Sequence, residues 1–178
     1  MNTRFTLAAL ALTLFAAPAL GTYQVVPFWQ YNVTLDFGDK AVTIEAQPSR
    51  SDMDSLVHST IFRGDNESDW GAIYIYEYQN AQTLDLEDRL WRFMKGYCAL
   101  TETDPGTVCG TNGFVAYGYA RVAHGFGKQV CYAGAITLPG AAASQRDFTV
   151  FGHFGNAAQN EQFVKTARIE FSGKSFAI

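Results

Sequence analysis

Three cysteines carry the most reactive side chains in this sequence: Cys98, Cys109 and Cys131. The N-terminus predicts export, a setting in which cysteines pair as disulfides. Cys98 ends a predicted helix, and a type I′ turn at Asn112-Gly113 would place Cys109 on the sheet face toward that helix. We therefore predict a Cys98–Cys109 disulfide. Cys131 would then lie on the other face, either as a buried thiol or as one half of an intermolecular disulfide.

Three histidines, His58, His124 and His153, could serve as bases or as metal ligands. None stands beside an acidic residue in the sequence, and no Cys–His spacing suits a zinc site. The Gly-x-Ser-x-Gly sequence of many serine hydrolases is also missing. We therefore predict no catalytic residue, no metal site and no cofactor. An enzyme, the second alternative, would use His124 or His153 and would need a pocket that holds one of them beside an acid.

Two sequons, Asn32-Val33-Thr34 and Asn66-Glu67-Ser68, predict N-glycosylation of Asn32 and Asn66 in a host that glycosylates exported proteins. Asn66 falls in a predicted polar turn, whereas Asn32 begins a predicted strand. Acids alternate over residues 65–69 as in a calcium loop, but Trp70 and Tyr76 stand where an EF-hand needs Gly and Glu. The segment therefore indicates a solvated acidic turn.

Aromatic residues alternate along two predicted strands, at the spacing that puts side chains on one face. Residues 73–78 form the most β-prone stretch, which is either an interior strand or an edge that pairs with another subunit. Tyr and Trp commonly anchor protein interfaces, and monomers rarely leave large aromatic patches bare. The sequence therefore predicts a Tyr-rich interface on an outer face, made of Trp70, Tyr74, Tyr76, Tyr78, Tyr117 and Tyr119.

Strands and two helices must position these residues. Alternation between turn signals predicts strands over residues 24–29, 32–37, 41–47, 57–63 and 71–78, and later over 107–110, 114–122, 128–136, 146–154 and 168–171. Asp85 caps a predicted helix whose apolar residues recur at helical spacing through Tyr97. Pro105-Gly106 marks the turn after it. Asn156 caps a second predicted helix that ends near Ala167.

The order strands, helix, strands, helix predicts an α+β fold, with one antiparallel β-sheet and two α-helices packed on one face. Residues 22–178 match the length of a single domain, and no low-complexity linker divides them. The helices would leave the opposite face of the sheet open. That open face is where we expect the Tyr-rich interface.

Residues 1–21 have the plan of a secretory signal peptide. Arg4 gives a basic start, residues 5–20 are apolar, and the segment ends in small residues at Gly21. Without Arg4 the 13 basic side chains fall to 12, against 17 acidic ones, a net charge of −5. We therefore predict a secreted protein, extracellular or at the cell surface, with no membrane span after cleavage. The basic residues are scattered, which argues against a nucleic-acid partner because such a partner needs a basic stripe.

The order of elements resembles that of uncharacterised secreted archaeal domains. The shared features are a helix with a Met-Lys end, here residues 93–95, a Gly-bearing turn into a long strand, here 110–115, and a closing helix with a Phe-x-Lys-x-x-x-Ile-like pattern, here 163–169. The same order is similar to that of PsbP-like domains, in which helices back an antiparallel sheet. The resemblance implies a PsbP-like sandwich that binds other proteins rather than an enzyme, and it assigns no functional residue.

These features together predict a secreted, non-enzymatic structural or cell-envelope protein. It would act through protein–protein contacts and self-assemble, as a homo-oligomer or polymer, through strand edges and the Tyr-rich face. One alternative is an extracellular adaptor or ligand-binding module, whose aromatic face lines a groove for a small molecule or glycan. The other is an enzyme of unknown class.

Overall fold

The computed structural model describes residues 23–52, 55–66, 68–78, 85–122, 125–141 and 144–173. The predicted signal peptide and His124 lie outside the described residues. In chain order, the elements are β1 (Tyr23–Phe28), β2 (Tyr31–Asp36), β3 (Thr43–Asp52), β4 (Ser55–Arg63), β5 (Trp70–Tyr78), α1 (Leu86–Lys95), β6 (Leu100–Val108), β7 (Thr111–Val122), β8 (Gly125–Ala141), β9 (Ser144–His153), α2 (Ala157–Thr166) and β10 (Arg168–Phe171). Neither of these two helices is long and apolar enough to cross a membrane.

The strands form two antiparallel sheets. The larger sheet has seven strands in the order β3-β4-β5-β9-β8-β7-β6, and the smaller has three in the order β1-β2-β10. The larger sheet consists of two meanders that join where β9 pairs with β5. In the described part of the chain, β3 and β6 are its edges. Pro105-Gly106 lies within β6 rather than in the predicted turn, because an edge strand tolerates a proline that donates no hydrogen bond.

The two helices cover opposite faces of the seven-stranded sheet, so the predicted α+β fold with both helices on one face is wrong. α1 packs on β6, β7 and β8, with Leu90 and Met94 in one cluster with Ala133. α2 packs from the other side, where Phe163 and Val164 share a core with the three-stranded sheet. The fold is mostly β, since each helix has only ten residues. We call the two sides of the larger sheet the α1 face and the α2 face.

Alternation along the strands explains why both faces need a cover. On β8, Cys131 and Ala133 belong to the cluster on the α1 face, whereas Tyr132 and Ile136 belong to the core on the α2 face. All four residues are buried. Because apolar side chains line both faces, a single layer of helices would leave one of them in water. Alternation predicts which residues share a face, but it does not predict which element covers that face.

The α2 face holds the larger core. Phe37, Phe62 and Phe163 meet there from three different elements or loops, with ring centroids 5.1 to 6.1 Å apart. All three rings are buried. Burying a side chain of this size contributes roughly 1.5–3 kcal/mol. The phenylalanine cluster therefore holds α2 and the small sheet against the large one.

Capping residues confirm the predicted start of each helix. The side chains of Asp85 and Asn156 each accept a hydrogen bond, over 2.8 Å, from the amide three residues later. Such caps contribute about 1 kcal/mol each. Arg89 of α1 also forms a buried ion pair with Asp147 of β9. The cap fixes where α1 begins, and the ion pair fixes how it docks on the sheet.

The β6–β7 hairpin turns at Cys109-Gly110 rather than at the predicted Asn112-Gly113. Both turn residues have positive φ, +53° for Cys109 and +75° for Gly110, as a type I′ turn requires. Asn112 and Gly113 lie in β7 instead. A Cβ atom on Gly113 would come within 2.2 Å of the Ala135 carbonyl oxygen in β8. Gly113 therefore serves the close approach of two strands and not a turn.

The disulfide joins Cys98 to Cys131, so the predicted Cys98–Cys109 pair is wrong. The shifted turn puts Cys109 at the tip of the hairpin, whereas Cys98 and Cys131 both lie on the α1 face. Gly118 makes room for the bond, because a Cβ atom there would lie 2.1 and 2.2 Å from the two sulfur atoms. Cys131 is thus neither a thiol nor an intermolecular link. Cys109 keeps its thiol, whose pKa burial raises to about 12.

Candidate functional site

Four aromatic side chains form a row on the α1 face of β5. Trp70, Tyr74, Tyr76 and Tyr78 alternate along the strand, and successive tyrosine rings stack with centroids 6.0 and 6.3 Å apart. β5 pairs with β4 on one side and β9 on the other. Residues 73–78 therefore form an interior strand, and not the edge that the alternative interpretation required.

Helix α1 covers much of this row. Phe93 packs on Tyr74 with ring centroids 5.2 Å apart, and the Arg89 guanidinium lies 5.0 Å from the centre of the Tyr78 ring. Tyr74 and Tyr78 are only 5% and 9% exposed. Burial, as the main cause, raises the pKa of both hydroxyls above its usual range. These tyrosines are therefore neutral side chains that mostly face the helix and not solvent.

The other two tyrosines of the predicted interface lie on the opposite face. Tyr117 pairs with Tyr132 across β7 and β8, with ring centroids 4.9 Å apart, and it packs against the core on the α2 face. Tyr119 follows two residues later on β7. The six residues of the predicted interface therefore do not form one surface. Their part in a protein contact stays a prediction.

The aromatic row opens into a groove beside the end of α1. The groove has a volume of about 360 Å³, within the range of roughly 300–1,000 Å³ that is typical of ligand sites. Its walls come from β3, β4, β5 and the turn that follows α1. We call it the aromatic groove, and its lining residues are Gln47, Pro48, Arg50, Ser59, Ile61, Arg63, Trp70, Tyr74 and Tyr97.

Tyr97 forms the wall of the aromatic groove nearest α1. Just beyond the last turn of the helix, the Tyr97 N–H donates to the Met94 carbonyl over 2.9 Å. This turn places the Tyr97 ring with its centroid 5.5 Å from that of Trp70. Its hydroxyl lies 3.3 Å from the hydroxyl of Tyr74. Because Tyr97 is 43% exposed, its ring is open to contact from solvent.

Two arginines give the aromatic groove a positive charge. Arg63 Nε donates to Glu45 over 3.0 Å, and both side chains are exposed. Such an exposed pair contributes at most about 1 kcal/mol. Arg50 is exposed, and no carboxylate among the described residues pairs with it. Its charge favours the ionised form of the Tyr74 hydroxyl, although burial outweighs this effect.

His153 lines a small cavity of about 130 Å³ together with Asp69. The two side chains have other partners: His153 Nδ1 donates to the Ser68 carbonyl over 2.9 Å, and Asp69 pairs with Lys40 and accepts from the Gly155 N–H. In the described part of the chain, no hydrogen bond or ion pair joins His153 to Asp69. His153 and Asp69 therefore share a cavity without direct contact, and the enzyme alternative stays a prediction.

Both asparagines of the sequons lie among the described residues. Asn66 is exposed in the turn between β4 and β5. Asn32 is partly buried on β2, where β1 and β10 flank it on either side. Their glycosylation stays a prediction. Across the described ranges, no group of three or more His, Cys, Asp or Glu side chains is placed to hold a metal ion.

A second cleft, of about 490 Å³, lies between the two sheets. Tyr31 and Phe171 form part of its apolar wall, and Cys109 also lines it. Its charged group, Arg146, donates from both Nε and Nη2 to Glu77 Oε1. Since this charge already has a partner within the protein, the cleft offers less to a polar ligand than the aromatic groove does.

Of the nine residues that line the aromatic groove, sequence reasoning had picked out only Trp70 and Tyr74, and the missed ones include both arginines and Tyr97. Arg50 follows a change of register in the pairing of β3 with β4, and Arg63 ends β4. Tyr97 was expected on the apolar face of the helix, but it lies past the end of α1. Only the fold brings these side chains to Trp70 and Tyr74. No local pattern in the sequence shows that Arg50, Arg63 and Tyr97 lie in one groove.

A scan against family models, a search of curated proteins and a search of solved structures each found no match for this chain. The resemblance to secreted archaeal domains and to PsbP-like domains stays a prediction. Because no known protein suggests a function for this chain, the proposal below rests on the aromatic groove.

Proposed function

We propose that this protein is an extracellular ligand-binding module whose aromatic groove holds an acidic saccharide. The observation that carries the proposal is the meeting of Trp70 and Tyr97, with ring centroids 5.5 Å apart, and the Arg50 guanidinium in one groove. The extracellular setting rests on the predicted signal peptide over residues 1–21.

The aromatic rings and their polar neighbours favour a sugar as the ligand. Tyr and Trp combine a large apolar ring with a polar group, so they can contact both the C–H faces and the hydroxyls of a sugar ring. Gln47 and Ser59 add an amide and a hydroxyl to the same lining. The groove lies on the surface between the faces of β3, β4 and β5 and the turn after α1, which suits a saccharide chain whose ends extend into solvent.

The charge of the aromatic groove favours an acidic sugar. A guanidinium binds a carboxylate through two parallel hydrogen bonds, a geometry that a neutral sugar cannot match. Arg50 is available for such a bond, since no carboxylate in the described part of the chain occupies it. The chain as a whole has a net charge of −4. A local positive charge on an acidic protein directs an anion to that place.

Self-assembly through strand edges is the competing proposal. Each edge of the seven-stranded sheet carries features that oppose pairing with another sheet. The pairing of β3 with β4 is interrupted between Gln47 and Arg50. β6 carries Glu102, Asp104 and Pro105. Bulges, charges and prolines on an edge strand disfavour edge-to-edge association, and these features favour a binding module over a polymer.

Isothermal titration calorimetry with an oligomer of galacturonic acid, and with a neutral galactose oligomer of equal length, tests the proposal. We expect the acidic oligomer to bind more tightly. Arg50→Gln should weaken its binding about tenfold, which corresponds to ~1.4 kcal/mol. Arg92→Gln is the matched control, because Arg92 is an exposed cation on α1 outside the groove lining, and it should leave the affinity unchanged.

A second pair of variants tests the aromatic contact. Tyr97→Ala should weaken binding of both oligomers, whereas Tyr23→Ala should not, since Tyr23 is an exposed tyrosine on β1 away from the groove. The proposal would be overturned if the protein bound neither oligomer. It would also be overturned if Arg50→Gln and the unmodified protein bound the acidic oligomer with equal affinity. Large assemblies in solution, without saccharide binding, would favour the structural protein instead.

A further inference from the structure

Ser49, His58 and Glu77 form a polar row across three neighbouring strands on the α2 face. Ser49 Oγ lies 2.8 Å from His58 Nδ1, at hydrogen-bond distance. Glu77 Oε2 lies 3.7 Å from His58 Nε2, at ion-pair distance. His58 is only 4% exposed, whereas Ser49 is exposed. An accessible hydroxyl is therefore backed by a buried imidazole and by a carboxylate.

The strand pairing explains how the row arises. The pairing of β3 with β4 changes register around Ser49, and an irregularity of this kind re-aims a side chain, here toward His58. The pairing of β4 with β5 is regular and sets His58 opposite Ile75. Glu77 lies two residues beyond Ile75, so its side chain points to the same face as that of His58.

Trp29 and Arg146 restrict the imidazole and the carboxylate. The Trp29 ring stacks on His58 with centroids 4.6 Å apart. The Arg146 guanidinium lies 4.6 Å from the centre of the Trp29 ring and donates to Glu77 Oε1 over 2.9 and 2.7 Å. The other carboxylate oxygen of Glu77 is left to face His58. The stacked Trp29 ring and the Arg146–Glu77 ion pair thus hold the row in a single arrangement.

The position of Glu77 decides which imidazole nitrogen carries the proton. A hydrogen on Nε2 points toward the Glu77 carboxylate, and the lone pair of Nδ1 then faces the Ser49 hydroxyl. His58 Nε2 is buried, it has no hydrogen-bond partner among the described residues, and Glu77 Oε2 lies 3.7 Å from it. Burial lowers the pKa of His58, Glu77 opposes this, and Arg146 adds to it. A neutral imidazole in this tautomer can take the proton of Ser49.

We propose that Ser49 is a nucleophile, with His58 as its general base, in a site that accepts small acyl esters. Ser49 Oγ attacks the ester carbonyl carbon as its proton passes to His58 Nδ1, and Glu77 stabilises the imidazolium. The carbon–oxygen bond to the alcohol then breaks, and the alcohol leaves with the proton from Nδ1. Water attacks the acyl-serine with the same two proton transfers, which releases the acid and restores Ser49.

An acyl transfer also needs N–H donors for the oxyanion, and the edge strand β3 is where such donors are available. In the described part of the chain β3 pairs with β4 only, so the N–H groups on its outer side pair with no strand. Such N–H groups can bind the oxyanion that forms in the reaction.

The row of Ser49, His58 and Glu77 is separate from the aromatic groove. Pro48 and Arg50 line the groove, but the Ser49 side chain between them bonds to His58 on the α2 face. Either proposal can therefore fail without the other.

A fluorophosphonate reagent tests this inference, because it labels activated serines through a new oxygen–phosphorus bond with loss of fluoride. We expect one adduct, which peptide mass spectrometry maps to Ser49. Ser51, an exposed serine on the same strand, is the internal control and should react about 100-fold more slowly. Ser49→Ala should abolish the adduct, and His58→Gln should slow labelling by about 100-fold. No adduct at Ser49, or an unchanged rate in folded His58→Gln, would overturn the inference.

A measurement on the unmodified protein avoids any effect of substitution on folding. Nitrogen NMR of ¹⁵N-labelled histidine distinguishes the two tautomers of neutral imidazole. We expect the hydrogen of His58 on Nε2 near neutral pH. A hydrogen on Nδ1 would make Ser49 the acceptor of the hydrogen bond and would contradict its role as a nucleophile.

Discussion

At the scale of single residues, burial controls the ionisation of His58. Burial holds the pKa of His58 below its ordinary value of 6.5, with the Glu77 carboxylate opposing this and the Arg146 guanidinium adding to it. The unfolded chain therefore takes up a proton at His58 as the pH falls through 6.5, and the folded protein takes it up only at a lower pH. The free energy of unfolding should fall as the pH decreases through this range.

Urea denaturation between about pH 7.5 and about pH 5 measures this effect. We expect a smaller slope of stability against pH in His58→Gln than in the unmodified protein, whatever the difference in their absolute stabilities. Asp69 acts in a separate range, because Lys40 holds its pKa below 3.8 and its contribution is lost only as the pH falls below that value. Equal slopes in the two proteins would show that the imidazole is not held neutral.

The sequence predicts which side chains lie together when they belong to one strand. Alternation places Trp70 and Tyr74 on one face of a strand, as the structure has them. The row of Ser49, His58 and Glu77 could not be predicted, since its members come from three strands and depend on an interrupted pairing. No spacing in the sequence encodes such an interruption.

At the scale of elements, one buried ion pair docks α1 on the large sheet. Arg89 and Asp147 have side chains only 10% and 2% exposed. Removing one partner leaves the other charge buried and unpaired, which typically costs about 3–5 kcal/mol. We therefore expect Arg89→Met to lower the free energy of unfolding by about 3 kcal/mol in urea denaturation.

A matched control for Arg89→Met is Lys165→Met. Lys165 pairs with Glu161 on the surface of α2, where both side chains are exposed. Surface pairs of this kind contribute at most about 1 kcal/mol, so Lys165→Met should change stability little. Similar losses in the two variants would mean that the Arg89–Asp147 pair does not determine how α1 docks.

The elements themselves were largely predictable, but their arrangement was not. Capping residues and periodicity locate α1 and α2, because both signals lie within a few residues of each helix end. The layer that covers each face depends on contacts between distant segments. The prediction of a Cys98–Cys109 disulfide was wrong for a related reason. Asn112-Gly113 has the sequence of a turn, but Gly113 packs against β8 and the turn lies at Cys109-Gly110.

At the scale of the whole molecule, the seven-stranded sheet separates two surfaces with different chemistry. The aromatic groove on the α1 face carries the exposed ring of Tyr97 and the guanidinium of Arg50, with which no carboxylate among the described residues pairs. The α2 face carries the main core and, at its edge, the Ser49 hydroxyl. A ligand in the groove should therefore leave most of the α2 face undisturbed.

Chemical-shift mapping with the galacturonic acid oligomer tests this directly. We expect shifts in the side-chain signals of Arg50, Trp70 and Tyr97 as the oligomer is added, and none in Tyr132, which is buried on the α2 face. The shifts should saturate with the affinity that calorimetry gives. Shifts confined to the cleft around Phe171, or no shifts at all, would contradict the assignment of the aromatic groove as the binding site.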